Sequence, residues 1–308
     1  MTDMKEDIRS GGEFGFISEI RKMFPEKTSI KGIGDDCAIL PQRSGLSTLM
    51  STDMLVEDIH FILSKTDPFR LGWKSLAVNL SDMAAMGGKP VASLLSLALP
   101  SNLPAGWLER FMEGYRDISA RYDTVLAGGD TSSSKDRLFI SVTVVGECPE
   151  GGALTRAGAR PGDLVCVTGI LGESAAGLDI ILGGGARNEE DLRLVRRHFM
   201  PEPRVREGQL LASVPGVHSM MDLSDGVASD IRRIMEESSV GAEIDSRNPA
   251  YFGEHALDGG EDYELLFTVD PSAQKSLPVE HFVIGKITDS GRLVWRDSDR
   301  DFCGFRHF

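Results

Sequence analysis

The 308-residue sequence predicts two α/β domains, on three observations. The length is enough for two ordinary domains, each with its own core. Helical and strand patterns follow one another in an α+β order, with the first strands too numerous for a Rossmann alternation. Around Pro149 to Gly152 the composition turns to Pro, Glu and Gly, which places a boundary between residues 1–150 and 151–308.

In the first half, "GEFGFISEIRKMF" carries Phe16, Ile20 and Phe24 at helical spacing and reads as a short amphipathic helix. "CAIL" and "STLMSTDML" read as strands. "PFRLGWKSLAVNLSDMAAMGG" starts at a proline and stops at paired glycines, as a helix does. The apolar strand "PVASLLSLALP", the amphipathic helix "AGWLERFMEGYRDISARYD" and the strands "TVLAGGD" and "LFISVTVVGEC" complete this half. The second half opens with a turn, a strand, a glycine loop and a helix in "GARPGDLVCVTGILGESAAGLDIIL". A Pro-bearing loop then leads to helix "QLLAS", strand "GVHSMMDL" and helix "SDGVASDIRRIMEESS", and strands near "YELLFTV", "HFVIGKI" and "RLVWR" close the chain.

Charge narrows the function. Against 33 Lys and Arg stand 47 Asp and Glu, a formal charge of −14, which repels nucleic acid and anionic membranes. No apolar leader and no run of membrane-spanning length occurs. The four cysteines, Cys37, Cys148, Cys166 and Cys303, are scattered, without a CxxC pair, and read as buried free thiols in a reducing cytoplasm.

Five stretches begin or end an apolar element with aspartate beside small residues: "GIGDDCA", "MSTDML", "NLSDMAAMGG", "LAGGDTS" and "MDLSDG". Their acids are Asp35, Asp36, Asp53, Asp82, Asp130, Asp222 and Asp225. Small neighbours let a polyanion approach the backbone, and hard divalent cations such as Mg²⁺ bridge carboxylates to phosphates. Each acid alone has an ordinary structural reading; Asp225 and Ser224, for instance, suit a helix cap. The recurrence favours a shared cation site. If the last long helix starts at Ser224, Asp222 leaves a strand end and Asp225 stands in the first turn, where the helix dipole also favours phosphate.

Familiar phosphate motifs are missing. "GGDTSSSK" lacks the glycine before lysine of a Walker motif, "VTGILGESAAGL" is not G-x-G-x-x-G, and no EF-hand or protein-kinase set occurs. No activated nucleophile stands out either, so direct in-line transfer is expected over a covalent intermediate. His60, after Glu57 and Asp58, is by itself an ordinary histidine.

Taken in order, "GEFGFI", "GIGDDCA", "STDMLVEDIHF", "WKSLAVNLSDMAAMGGKP", "GGDT", "LTRAGARPGD", "GILGESAAGL", "MDLSDGVASD" and "GGEDYELLFT" resemble the thiamine-monophosphate kinase family of the aminoimidazole-ribonucleotide synthetase-like superfamily. The resemblance implies ATP-dependent phosphorylation of thiamine monophosphate to thiamine diphosphate with several Mg²⁺ ions. It implies metal contacts from Asp36, Ser51, Thr52, Asp53, Asp82, Asp130, Asp222 and Asp225, with Asp130, Asp222 and Asp225 closest to the chemistry. It implies ATP contacts from Gly129, Asp130, Arg156 and Ser224, and thiamine-phosphate contacts from His60, Glu261, Asp262 and Phe305. The aromatic that relatives offer to the nucleotide corresponds here to Met112 or Phe111. A homodimer, its N-terminal domains pairing into a β-barrel, is also implied. Asp35 and Asp36 then adjoin because the strand pleat sends one side chain toward the metals and its neighbour away. A sibling ATP-dependent synthetase, a two-metal phosphohydrolase and a non-catalytic cation binder remain alternatives.

Overall fold

The computed structural model describes residues 37–41, 45–253, 255–300 and 302–305. The helix expected over residues 12–24, and both Asp35 and Asp36, lie outside them. The first half builds a five-stranded sheet from β1 (Ala38–Pro41), β2 (Leu46–Val56), β3 (Lys89–Pro100), β4 (Val125–Ser134) and β5 (Phe139–Pro149). Their order is β1-β2-β5-β3-β4, antiparallel except for the β3–β4 pair. Two helices join this half: α1 (Pro68–Ala85) and α2 (Trp107–Arg121).

α1 begins at the expected proline. Its N-cap Asp67 accepts the Arg70 N–H at 3.3 Å, and every residue from Leu71 to Ala85 except Asp82 is buried. Glycines set its contact with α2. A Cβ on Gly72 would lie 1.9 Å from the Phe111 carbonyl oxygen, and one on Gly114 would lie 1.8 Å from that of Phe69. Only bare backbone fits on both sides of the crossing.

The second half is a six-stranded sheet ordered β11-β8-β10-β6-β9-β7. Its strands are β6 (Leu164–Val167), β7 (Val217–Asp222), β8 (Gly241–Asp245), β9 (Leu265–Val269), β10 (Phe282–Thr288) and β11 (Leu293–Arg296). This half also holds helices α3 (Glu173–Leu182), α4 (Glu189–Phe199), α5 (Val205–Ala212) and α6 (Val227–Ser238); α3 packs on α4, α5 on α1, and α6 on β7, β8 and β9. One core cluster runs across both halves: Leu76 and Met83 of α1 share it with Val205, Met220, Tyr263 and Phe267. Burial of this continuous apolar surface is what docks the halves.

Two elements, α4 and β8, were not expected. α4 carries acids in its first turn, Arg196, Arg197 and His198 in its last, and an N-cap Asn188 that accepts the Asp191 N–H at 2.8 Å. Three cysteines are buried as expected, and burial pushes the Cys166 thiol up to about 12; Cys303 instead is exposed. Among the described residues no helix is long and apolar enough to cross a membrane.

Candidate active site

A cavity of about 740 Å³ opens between the halves. β2 and α1 form one wall. Along β2, Leu49, Ser51, Asp53 and Leu55 face inward by the two-residue strand period, while α1 offers Asn79 and Asp82 by its three-residue step. The two rows meet: the Ser51 hydroxyl donates to the Asp82 carboxylate, and the Asp53 N–H donates to Asn79 Oδ1 at 3.1 Å. At the end of β2 the Val56 N–H donates to His60 Nδ1 at 3.0 Å, which places the proton of the neutral ring on Nε2.

The opposite wall comes from the residues after β7 and the loop before β9. Leu223 N–H donates to the Glu264 carbonyl at 2.8 Å, Tyr263 N–H to that of Leu223 at 2.9 Å, and Glu261 N–H to that of Ser224 at 2.7 Å. Gly260 permits this zipper, since a Cβ there would lie 2.3 Å from the Ser224 carbonyl oxygen. Phe305 N–H donates to the Asp225 carbonyl at 2.9 Å, which brings the C-terminal aromatic to the same wall.

This pairing corrects the expected helix start. Residues 223–225 give their backbone groups to the neighbouring segments, so the helix α6 begins at Val227, after Gly226. Asp225 therefore precedes the helix, and its N–H donates to Asp230 Oδ2 at 3.2 Å. Asp230 occupies the first turn instead, where burial, then the charges of Asp225 and Asp222, hold its carboxyl well above the usual range.

Asp53 and Asp82 from the first half, and Asp222, Ser224, Asp225, Glu261 and Phe305 from the second, line the cavity together with His60. The buried Tyr263 reports their convergence. Its phenol is raised far above 10 by burial, then by the charges of Glu261, Asp53, Asp222 and Asp225. It stays protonated and can act as a donor.

Several expected residues stand elsewhere. Thr52 lies on the other side of β2, where its hydroxyl bonds the Val142 carbonyl at 3.1 Å and the Thr143 hydroxyl at 3.0 Å. Ser51 lines the wall only through Asp82. Gly129 and Asp130 sit on β4, exposed at the edge of the sheet and outside the cavity lining. Arg156 is also outside it, close enough to Asp230 to favour that carboxylate's charge. Asp262 is a correction. It was expected at the substrate with Glu261, yet its two oxygens accept the N–H groups of Gly172 at 2.7 Å and Ser174 at 3.2 Å, so it caps α3. Phe111 is fully buried, stacked on Trp107 at 5.5 Å between ring centroids, and cannot reach a nucleotide. Met112 keeps partial exposure.

Sequence reasoning missed two groups beside Glu261. Lys74 Nζ lies 2.8 Å from Glu261 Oε1, and His198 Nδ1 lies 3.5 Å from Oε2. A lysine inside the otherwise apolar "LGWKSLAV" was a usable signal; the histidine gave none. No group of three acids, histidines or cysteines is gathered tightly enough among the described residues to hold a metal ion by itself. The donor set still suits Mg²⁺, because this hard cation takes one or two carboxylates and completes its shell with water and substrate phosphate.

Comparison with known proteins places the chain. Residues 34–148 match the AIR synthase related protein N-terminal domain, and residues 160–297 match the corresponding C-terminal domain. Thiamine-monophosphate kinase of Escherichia coli K12 is 43% identical, over 96% of this chain and 98% of its own. That of Bacillus subtilis is 39% identical, over 89% and 90%. The chain belongs to the thiamine-monophosphate kinase family. A family structure described as AaThiL complexed with AMPPCP and TMP superposes with a TM-score of 0.88 at 33% identity, covering 99% of this chain and 100% of the other. Escherichia coli HypE, a hydrogenase maturation protein, shares the fold alone, with a TM-score of 0.68 at 18% identity over 84% of each chain.

Proposed function

We propose that this chain transfers the terminal phosphoryl group of ATP to thiamine monophosphate, giving thiamine diphosphate and ADP. The observation that carries this reading is the cavity between the halves, lined by Asp53, Asp82, Asp222 and Asp225 together with His60 and Phe305. The same fold, in the relative described as complexed with AMPPCP and TMP, holds a nucleotide analogue and TMP.

The acceptor is itself a phosphate, so its oxygen attacks without a strong base, and the obstacle is bringing two polyanions together. Asp36, Ser51, Thr52, Asp53, Asp82, Asp130, Asp222 and Asp225 are the proposed Mg²⁺ contacts, and several bound ions would neutralise the phosphates during in-line transfer. Gly129, Asp130, Arg156 and Ser224 would orient ATP. His60, Glu261 and Phe305 would orient thiamine monophosphate. Held in line, the two phosphates react with much of the rate supplied by positioning.

Asp130, Gly129 and Thr52 stand on the exposed face and edge of the first sheet. Val125 and Leu126 of β4 are exposed there too, at 64% and 39%. A homodimer in which the two first sheets close into a barrel would cover this edge and bring those residues to a complete site. We place the domain boundary at Pro149 to Gly152, the first domain carrying metal and ATP contacts and the second completing the phosphate and thiamine site. A cytoplasmic location belongs to the same reading, and the four free cysteines are compatible with it.

The test is an assay with ATP, Mg²⁺ and thiamine monophosphate, following thiamine diphosphate and ADP together. ADP formed without thiamine diphosphate would favour a phosphohydrolase and overturn the proposal.

A further inference from the structure

Lys74 is a buried cation in the middle of an apolar helix. It is 2% exposed, and its ammonium meets Glu261 from the first half of the chain. His198, on α4 of the second half, approaches the other carboxylate oxygen, and its Nδ1 also lies 3.1 Å from the Ser174 hydroxyl. Glu261 itself has a left-handed backbone, φ +66°, locked by its N–H bond to Ser224, and its side chain is 26% exposed toward the cavity. The carboxylate is thus held from both halves at the point where they face each other.

Charge makes this arrangement necessary. The cavity wall already carries Asp53, Asp82, Asp222 and Asp225. A further uncompensated carboxylate would repel an anionic substrate, or would take a proton or turn to solvent. Burial works to raise the Glu261 carboxyl, but Lys74, foremost among its neighbours and joined by His198 and His60, holds it below its usual range. Burial, reinforced by Lys74, pushes His198 down to about 3, so the ring is neutral and adds no second positive charge.

We infer that Lys74 and His198 are positioning residues that aim the Glu261 carboxylate at bound thiamine monophosphate, with Lys74 cancelling its charge. Glu261 then presents an acceptor to the substrate's N–H donors without adding net negative charge beside its phosphate. The inference rests on the proposed function and adds the specificity device behind it.

The test measures both substrates. Lys74→Met removes the ammonium and keeps a chain of similar length. It should raise the KM for thiamine monophosphate about tenfold or more while that for ATP changes less than about twofold. Lys74→Arg should recover most of the loss, and His198→Gln should show a smaller effect of the same selectivity. Combining Lys74→Met with Glu261→Gln should be no worse than Glu261→Gln alone, as expected of residues that act through one another. Should Lys74→Met fail to fold, this double variant, which lacks both buried charges, carries the test. Additive losses, or equal weakening toward ATP, would make Lys74 a structural residue and overturn the inference. A wild type active on thiamine monophosphate beside an unchanged, folded Lys74→Met would overturn it alone. A wild type inactive on that substrate would overturn the proposed function and this inference with it.

Discussion

Between Asp222 and Asp230 three carboxylates lie close together, and Asp230 is held well above its usual range by burial, then by the charges of Asp225 and Asp222. Between Glu261 and Glu264 three carboxylates each meet a cation or backbone donors. Glu261 faces Lys74, Asp262 accepts two backbone N–H groups, and Glu264 pairs with Arg197 at 2.8 Å and Arg204 at 2.7 Å while accepting the Thr168 hydroxyl at 2.7 Å. The two stretches are zipped together by backbone hydrogen bonds, so they share one environment and differ in what answers their charge. Repulsion within the first stretch accumulates negative potential at the cavity. Attraction in the second spends its charge on holding elements in place. Acidic residues in one site thus divide into those suited to attract cations and those that build the wall.

Breaking the first stretch should cost activity and spare the fold. Asp222→Asn or Asp225→Asn is expected to lower turnover at least ~10³-fold, because each weakens a proposed contact to the Mg²⁺ ions that would neutralise the reacting phosphates. Circular dichroism and Tm should stay at wild-type values or rise, since like charges are relieved. Near-normal turnover at ordinary Mg²⁺ would remove these acids from the mechanism.

Breaking the second stretch should do the reverse. Glu264 is 1% exposed, and Glu264→Gln leaves two arginines beside an uncharged amide, at a cost on the order of 3–5 kcal/mol. A denaturant titration should show the loss, and an unchanged midpoint would count against the division drawn above.

A smaller effect sharpens the comparison at the wall both stretches form. Phe305, 46% exposed and anchored by its N–H to Asp225, is expected to pack on a ring of the substrate. Phe305→Ala should raise the KM for thiamine monophosphate several-fold, on the order of 1 kcal/mol, with that for ATP little changed. Equal weakening of both substrates would return Phe305 to a structural role.

The last expected effect is on pH dependence. His198 titrates near 3 in the fold and near 6.5 unfolded, so between these values the unfolded chain binds the extra proton. Its contribution to stability is therefore lost as pH falls from about 6.5 toward about 3. Asp262 works in the opposite sense, because burial, against its N–H donors, raises it to about 7. Wild type and His198→Gln must accordingly be compared with each other: the variant should lose less Tm between pH 7 and pH 5. An identical fall in both would show that His198 does not enter the linkage.

Much of the fold was legible because its signals are local. Pro68 opens α1, paired glycines follow it, and the strand ends carry their aspartates in the sequence itself. α4 escaped because charged residues dominate it, leaving Leu194, Val195 and Phe199 as a narrow buried stripe; β8 escaped because "GAEID" is short and opens on glycine. In the site, Asp53, Asp82, Asp222 and Asp225 could be found one motif at a time. The partners of Glu261 could not, because Lys74 stands 187 positions away and only the docking of the halves brings it near. The start of α6 was misplaced for a similar reason, since the hydrogen bonds that delay it come from residues beyond 258 and from Phe305.

The glycine crossing of α1 and α2 has a consequence for how this chain can change over generations. Lys74, Asn79 and Asp82 all ride on α1, and Gly72 and Gly114 lock that helix against its neighbour at a single point. Inserting or deleting one residue between Gly72 and Asp82 would advance the helix by about 1.5 Å and turn it by about 100°, displacing groups on its far side while the crossing stays put. Length variation in this family member should therefore be excluded from that ten-residue interval and tolerated at the exposed glycines Gly183 and Gly184 after α3, a contrast that a library of single-residue insertions would read directly.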